Sequence, residues 1–302
     1  KMTLTILGCY SATPRTFNNP TAQLLDARGY LFLIDCGEGT QVALRKSKVK
    51  FARVKHIFIS HLHGDHFYGL IGLISTFTLL GREADLHIYG PKGIKEIITL
   101  QLKLGKAWTN YNLIFHELDS KTPQLLFEDD KVEVHTIPLK HRVYTNGFLF
   151  REKPGERKLN LEAAVAAKID NCYFRKLKSG ADVVNLEGKQ IPNESVTFPP
   201  DPPKSYAFCS DTIYNREIIP QIQGVSALYH EATFLEEHKH LCEKTKHTTA
   251  KEAATIARDA GVGQLILGHF STRYDRLDRY LEEAQPIFEN TQLAEDYKVF
   301  EI

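Results

Sequence analysis

The chain has 302 residues and is 42% hydrophobic, enough to bury one large core or two modest ones. Its 38 basic and 37 acidic residues leave a formal net charge of +1, which excludes a globally basic nucleic-acid binder but leaves room for a local basic patch. Five widely spaced cysteines (Cys9, Cys36, Cys172, Cys209, Cys242) with no Cys-x-x-Cys pair argue against a disulfide framework and a thiolate zinc site, and point to a reducing cytoplasm.

Short apolar, β-branched or aromatic runs closed by turn residues predict strands at residues 3–7 and 30–35. Gly37 and Gly39 mark a turn into a helix, and residues 56–60 form another buried-strand candidate. Residues 67–80 and a segment from Pro91 toward Leu104 predict helices on either side of a strand at 86–89. Successive strands follow near 113–117, 124–128, 131–138 and 145–151. Residues 152–204 break this pattern with scattered Lys and Arg and a close rich in proline (Pro199, Pro200, Pro202, Pro203), and read as an inserted arm and linker. Alternation then resumes, with strands at 205–210, 227–230, 264–268 and 297–301 and helices near 216–222, 249–260 and 276–290. The reading is one α/β domain of mixed sheets over residues 2–302, carrying an arm at about 152–204. No apolar run approaches the roughly eighteen residues of a membrane helix, and the first residues lack signal-peptide features, so neither export nor membrane anchoring is expected.

The chemistry concentrates directly after the 56–60 strand, in the run His61-Leu62-His63-Gly64-Asp65-His66. In extended backbone His61 and His63 project from one side and can share an ion. Gly64 lets Asp65 and His66 turn toward a second ion that the first pair cannot reach. Nitrogen and carboxylate ligands without thiolate suit zinc, with manganese or iron as substitutes, and two such ions about 3.5–4 Å apart suit hydrolysis. Four ligands do not complete two sites. His141, Asp211 and His269 each follow a predicted strand and are the candidates for completion, although taken singly His141 or His269 reads as an ordinary packed or surface residue.

With these residues in place the sequence resembles the metallo-β-lactamase superfamily, and within it the ribonuclease Z family, endonucleases that trim the 3′ trailer from precursor transfer RNA. The broader likeness rests on His61, His63, Asp65 and His66. The narrower one rests on His230-Glu231-Ala232-Thr233, His247-Thr248-Thr249 and His269-Phe270-Ser271-Thr272-Arg273-Tyr274. The resemblance implies an αβ/βα sandwich of two mixed sheets flanked by helices, a homodimer, and two Zn²⁺ ions per subunit. One ion would sit on His61, His63 and His141 and the other on Asp65, His66 and His269, with Asp211 bridging. It further implies that hydroxide, supplied at neutral pH because the metal lowers the pKa of water toward about 7, attacks phosphorus in line while Asp65 accepts a proton. His247 would protonate the departing RNA 3′ oxygen, with Glu231 orienting and charging it. A competing reading makes His247 a cap of the helix that starts near Thr249. Arg273, and Ser271 beside it, are candidates to hold a phosphate or the nucleotide next to the cut.

Two regions depart from that family. The arm lacks the Gly-Pro-rich stretch common in its shorter members, yet residues 169–178 keep aromatic and basic side chains, and Arg175, Lys176 and Lys178 are candidates for contacting the RNA backbone. The loop at residues 8–15 lacks the Pro-x-x-x-Arg-Asn pattern implicated in recognising the RNA end. The alternative function is a small-molecule phosphodiesterase or another hydrolase on the same fold, and a third is a nucleic-acid-binding scaffold whose metals are structural.

Overall fold

The computed structural model describes residues 1–302. They form two compact units, one comprising Lys1–Arg151 with Lys204–Ile302 and the other Glu152–Pro203.

In the larger unit, strands β1 (Thr3–Gly8), β2 (Ala22–Ala27), β3 (Tyr30–Ile34), β4 (Val54–Phe58), β5 (Leu86–Pro91) and β6 (Leu113–Leu118) open the first sheet. Strands β7 (Leu125–Glu128), β8 (Val132–Pro138) and β9 (Asn146–Glu152) open the second. The smaller unit holds the short strands β10 (Lys158–Leu159), β11 (Val183–Val184), β12 (Gln190–Ile191) and β13 (Thr197–Phe198). Strands β14 (Ser205–Cys209), β15 (Ala227–Glu231), β16 (Leu265–Gly268) and β17 (Thr291–Leu293) complete the second sheet, and β18 (Val299–Glu301) returns to the first. The two seven-stranded orders are β18-β1-β2-β3-β4-β5-β6 and β17-β16-β15-β14-β9-β8-β7. Helices α1 (Thr40–Lys46), α2 (Gly64–Phe67), α3 (Leu70–Leu79) and α4 (Ile94–Leu104) accompany the first sheet. The smaller unit carries α5 (Leu161–Ala166) and α6 (Phe174–Lys178), and α7 (Ile219–Ile222), α8 (His240–Thr245), α9 (Ala250–Ala260) and α10 (Asp278–Ala284) accompany the second sheet.

The two-residue period of β3 shows why the chain stacks in this way. Leu31 and Leu33 join the cluster built with Leu44, Leu73 and Ile98 of the helices, while Phe32 and Ile34 enter the core between the sheets with Phe148, Phe150 and Tyr206. Buried on both faces, such strands read as continuous apolar runs, and β3 to β6 are parallel, as are β14 to β17. Loops at the carboxyl ends of parallel strands form the crevice where sites gather in such folds.

The observed α/β sandwich agrees with the expected class, and particular elements correct the sequence reading. Strand β2 was not anticipated; it pairs antiparallel with both β1 and β3. Pro91 closes β5 instead of opening a helix, and α4 begins only after Gly93, whose φ of 106° provides the left-handed turn. Helix α10 stops at Ala284, short of 290, and residues 291–293 form β17 beyond it. The segment expected as arm and linker has its own core, made of Ala164, Ile169, Leu177, Val183, Ile191 and Val196. No helix is long and apolar enough to cross a membrane.

Candidate metal centre and active site

Each proposed ligand leaves the end of a strand. His61 and His63 follow β4, Asp65 and His66 lie on α2, His141 follows β8, Asp211 follows β14 and His269 follows β16. The fold gathers their ligand atoms into two groups, His61 with His63 and His141, and Asp65 with His66, Asp211 and His269.

Four of the imidazoles are locked into one tautomer. The Ser60 hydroxyl donates to Asp35 at 2.8 Å and therefore accepts from His61 Nδ1 at 2.9 Å. His66 Nδ1 donates to Asp35 at 2.6 Å, and His141 Nδ1 to the Lys246 carbonyl at 2.9 Å. The Thr233 hydroxyl donates to Glu231 at 2.6 Å and accepts from His269 Nδ1 at 3.0 Å. All four rings consequently carry a proton on Nδ1 and turn Nε2 toward one point, and burial favours an Nε2 lone pair on His61 and His141.

These Nε2 atoms provide the test for a metal. The Nε2 atoms of His61, His66 and His141 are buried and have no hydrogen-bond partner. Their distances to Asp211 Oδ2 are 3.5, 3.4 and 3.7 Å, and His269 Nε2 lies 3.2 Å from Asp211 Oδ1. Asp65 Oδ2 lies 3.2 Å from His66 Nε2 and 3.4 Å from His269 Nε2. Ligand bonds of about 2.0–2.2 Å in a tetrahedron set neighbouring ligand atoms roughly 3.3 Å apart, so the arrangement fits shared ions better than direct pairs. Asp211 Oδ2 faces His61 and His141 of one group and His66 of the other, and Oδ1 faces His269, so this carboxylate lies within reach of both groups.

Carboxylates and imidazoles act on one another at this point. Burial opposes charge on Asp65 and Asp211, yet the surrounding imidazoles outweigh it and hold both carboxyls well below the usual range. Burial likewise opposes a proton on His66, but the carboxylates of Asp211, Asp65 and Asp35 favour positive charge there. His63 is lowered first by burial and then by the Arg142 guanidinium nearby.

Glu231 and His247 meet beside the ligands. His247 Nδ1 lies 2.7 Å from Glu231 Oε1, and its ring centroid is 5.2 Å from that of His269 and 5.3 Å from that of His141. Burial disfavours the imidazolium, but the Glu231 carboxylate prevails and raises His247 to about 9. The alternative role as helix cap does not hold. Helix α9 is capped by Thr249, whose side chain accepts from the Glu252 backbone while Glu252 returns a bond to Thr249.

The remaining expected residues are dispersed. Ser271 lines the metal cleft with His63, Asp65, His141, Asp211 and His247, whereas Arg273 is exposed next to it. Arg175, Lys176 and Lys178 lie exposed on α6 of the smaller unit, where the Lys176 amine sits 5.6 Å from the centre of the Tyr173 ring. The divergent loop after β1 docks on the 269–274 segment, with Ser11 Oγ donating to the Phe270 carbonyl and Arg15 to those of Thr272 and Tyr274. Sequence reasoning missed Asp35, Ser60 and Thr233 as orienting groups. An acidic residue closing a buried apolar strand was the available signal for Asp35, and membership of the 230–233 motif for Thr233.

Comparisons with known proteins place the chain in a family. Residues 2–153 match the family model described as anti-Pycsar protein Apyc1. Ribonuclease Z of Bacteroides fragilis is 49% identical over 296 residues, covering 98% of this chain and 97% of that protein. Ribonuclease Z of Bacteroides thetaiotaomicron is 48% identical, covering 98% and 94%. Among solved structures, the short form of human tRNase Z superposes with a TM-score of 0.72 at 28% identity over 99% of each chain. The metallo-β-lactamase fold protein YhfI of Bacillus subtilis shares the fold, with a TM-score of 0.69 at 20% identity. With relatives this similar over nearly their whole length, the chain belongs to the ribonuclease Z family.

Proposed function

We propose that this protein is a metal-dependent endoribonuclease that cuts precursor transfer RNA on its 3′ side, removing the trailer and leaving a 3′-hydroxyl on the transfer RNA. The observation that carries the reading is the charged Glu231–His247 pair placed against two groups of metal-type ligands in a member of this family.

Two zinc ions are the proposed cofactors, one on His61, His63 and His141 and one on Asp65, His66 and His269, with Asp211 between them. When bound, they supply positive charge for the phosphate and lower the pKa of water. The chain's own residues do the rest. Asp65, held ionised, is the proton acceptor at its Oδ atoms. His247, charged through Glu231, presents Nε2 to the departing 3′ oxygen and gives it a proton. Its Nδ1 stays on Glu231 throughout, so the ring neither rotates nor loses its orientation. Ser271 and Arg273 are proposed to position the nucleotide beside the cut, and Arg175, Lys176 and Lys178 to hold the RNA backbone through the arm. A homodimer in the cytoplasm completes the proposal, supported by the family resemblance and by five cysteines that are all free thiols.

The test is a trailer-bearing precursor incubated with the purified protein with and without zinc. A single cut after the discriminator nucleotide, abolished by chelator, is expected. Intact RNA beside rapid turnover of a model diester such as bis(p-nitrophenyl) phosphate would instead establish a small-molecule phosphodiesterase.

A further inference from the structure

Most arginines of this chain serve the fold, and nine of the fourteen donate side-chain hydrogen bonds within it. Arg142, Arg175 and Arg273 differ, because their guanidinium groups make no hydrogen bond, ion pair or ring contact. The latter two already have proposed RNA roles. Arg142 has none, and its position is the most central. It immediately follows the ligand His141, is exposed, and borders the metal cleft together with cavities on both flanks.

The two flanking cavities differ in charge. One, of about 400 Å³, is lined by Glu38, Asp65 and Tyr68, with Arg142 as its single cationic side chain. The other, of about 510 Å³, is lined by Lys121, Lys140 and Arg142, and its single acid, Glu217, is engaged 3.0 Å from the Lys140 amine. Lys121 is exposed and makes no ion pair. An RNA backbone leaving the cleft therefore meets the unpaired Lys121 on the second side and the exposed Glu38 carboxylate on the first.

Polarity follows from His247, which lines the cleft but neither flanking cavity, whereas Arg142 lines all three. If His247 protonates the departing 3′ oxygen, as the endonuclease reading on which this inference rests requires, the body of the transfer RNA lies toward His247. The strand carrying the new 5′-phosphate lies toward Arg142. We propose that the RNA downstream of the cut crosses Arg142 into the cavity of Lys121 and Lys140, and that the Arg142 guanidinium grips the first phosphodiester beyond the scissile one. The planar fork of donors suits two oxygens of one phosphate, and Lys121 adds a point charge further along.

The test compares a precursor with a one-nucleotide trailer, which lacks that downstream phosphodiester, with one carrying four nucleotides. Wild type, Arg142→Ala, Arg142→Lys and Lys121→Ala are assayed as zinc-loaded proteins, with zinc content and thermal midpoint measured alongside. On the long trailer Arg142→Ala is expected to lower kcat/KM about tenfold, mainly through KM, with a smaller loss for Lys121→Ala and partial retention in Arg142→Lys. On the one-nucleotide trailer all four should agree within about twofold. The logarithmic salt dependence on the long trailer should become shallower by roughly 0.7 in Arg142→Ala, the share of one phosphate on a single strand. Equal losses on both trailers, or no loss on either, would overturn the proposed route. Failure of the wild-type protein to cut either precursor would overturn the endonuclease reading itself, and the route with it.

Discussion

Thr233 and Glu231 are joined at 2.6 Å by a hydroxyl proton whose direction is fixed, because an ionised carboxylate can only accept, and this leaves the same oxygen to accept from His269. Glu231 also receives the backbone N–H groups of Thr212 at 2.9 Å and Thr248 at 3.1 Å, and His247 Nδ1 at 2.7 Å. A buried carboxylate with this many donors stays ionised, and it aligns the proposed proton donor and a proposed metal ligand at once.

Removing the acid should therefore be selective. His247→Ala is expected to lower kcat for precursor RNA by about 10²–10⁴. It should change turnover of bis(p-nitrophenyl) phosphate far less, since nitrophenolate leaves without a proton. Glu231→Gln should follow the same pattern, and a parallel loss on both substrates would count against the assigned role. Zinc content is measured to show that the ligands remain occupied.

Asp35 touches no reacting group, but it holds His66 and, through Ser60, His61. Asp35→Asn should weaken zinc binding by about 10–100-fold, read by competition with a chromophoric chelator. The metal-dependent gain in thermal midpoint should shrink accordingly. Unchanged affinity would show that the rings orient themselves.

His56 ties stability to pH far from the metal centre. Its ring lies between the sheets, 4.6 Å from Phe127 and 5.1 Å from His87, and burial followed by the neighbouring His87, His116 and Lys55 lowers it to about 4. Asp129 opposes this. Because the folded value lies below the unfolded value near 6.5, the unfolded chain binds the proton first. The contribution is fully present above about pH 6.5 and is lost as the pH falls toward about 4, up to about 3 kcal/mol. Chemical denaturation at pH 7 and pH 5 should show a smaller difference for His56→Phe than for wild type.

Gly69 is required by close packing. A Cβ there would lie 2.0 Å from the Gly37 carbonyl oxygen, which is backbone and cannot swing aside. Gly69 N also donates to the Cys36 carbonyl at 3.0 Å, and Cys36 N to that of His66 at 2.8 Å. Gly69→Ala should cost about 1–3 kcal/mol in urea unfolding and also reduce zinc affinity, because the displaced segment includes Asp35. Wild-type stability in this variant would contradict the packing.

The proposed ligand set was legible because chemistry and chain order coincide. Four stand within six residues after β4, and the other three each follow a strand of the same sandwich. The proposed proton donor required the resemblance, since nothing about an isolated His247 distinguishes it from a capping residue. Asp35 was not legible, because it meets His66 across 31 residues only through the parallel pairing of β3 with β4. The fold follows the same division. The β-branched and aromatic strands were readable from local pattern, whereas β2, with the sequence AQLLDA, becomes a strand by being paired on both edges. The 152–203 segment read as an arm and linker, without a core of its own, because its small core draws on residues spread from Ala164 to Val196.

The locked tautomers of His61, His66, His141 and His269 have a kinetic corollary. No ring needs to flip when an ion arrives, and His66, favoured in its charged form by the carboxylates around it, has to release only its Nε2 proton. His63 and His141 are both partly exposed, but His63 alone among the five proposed imidazole ligands has no hydrogen bond to the protein at Nδ1. It is the least tethered of the five. If two ions bind as proposed, the one on the His61, His63 and His141 side is expected to exchange faster than the one on Asp65, His66 and His269. Isotopic zinc exchange should resolve into a fast and a slow phase of equal amplitude.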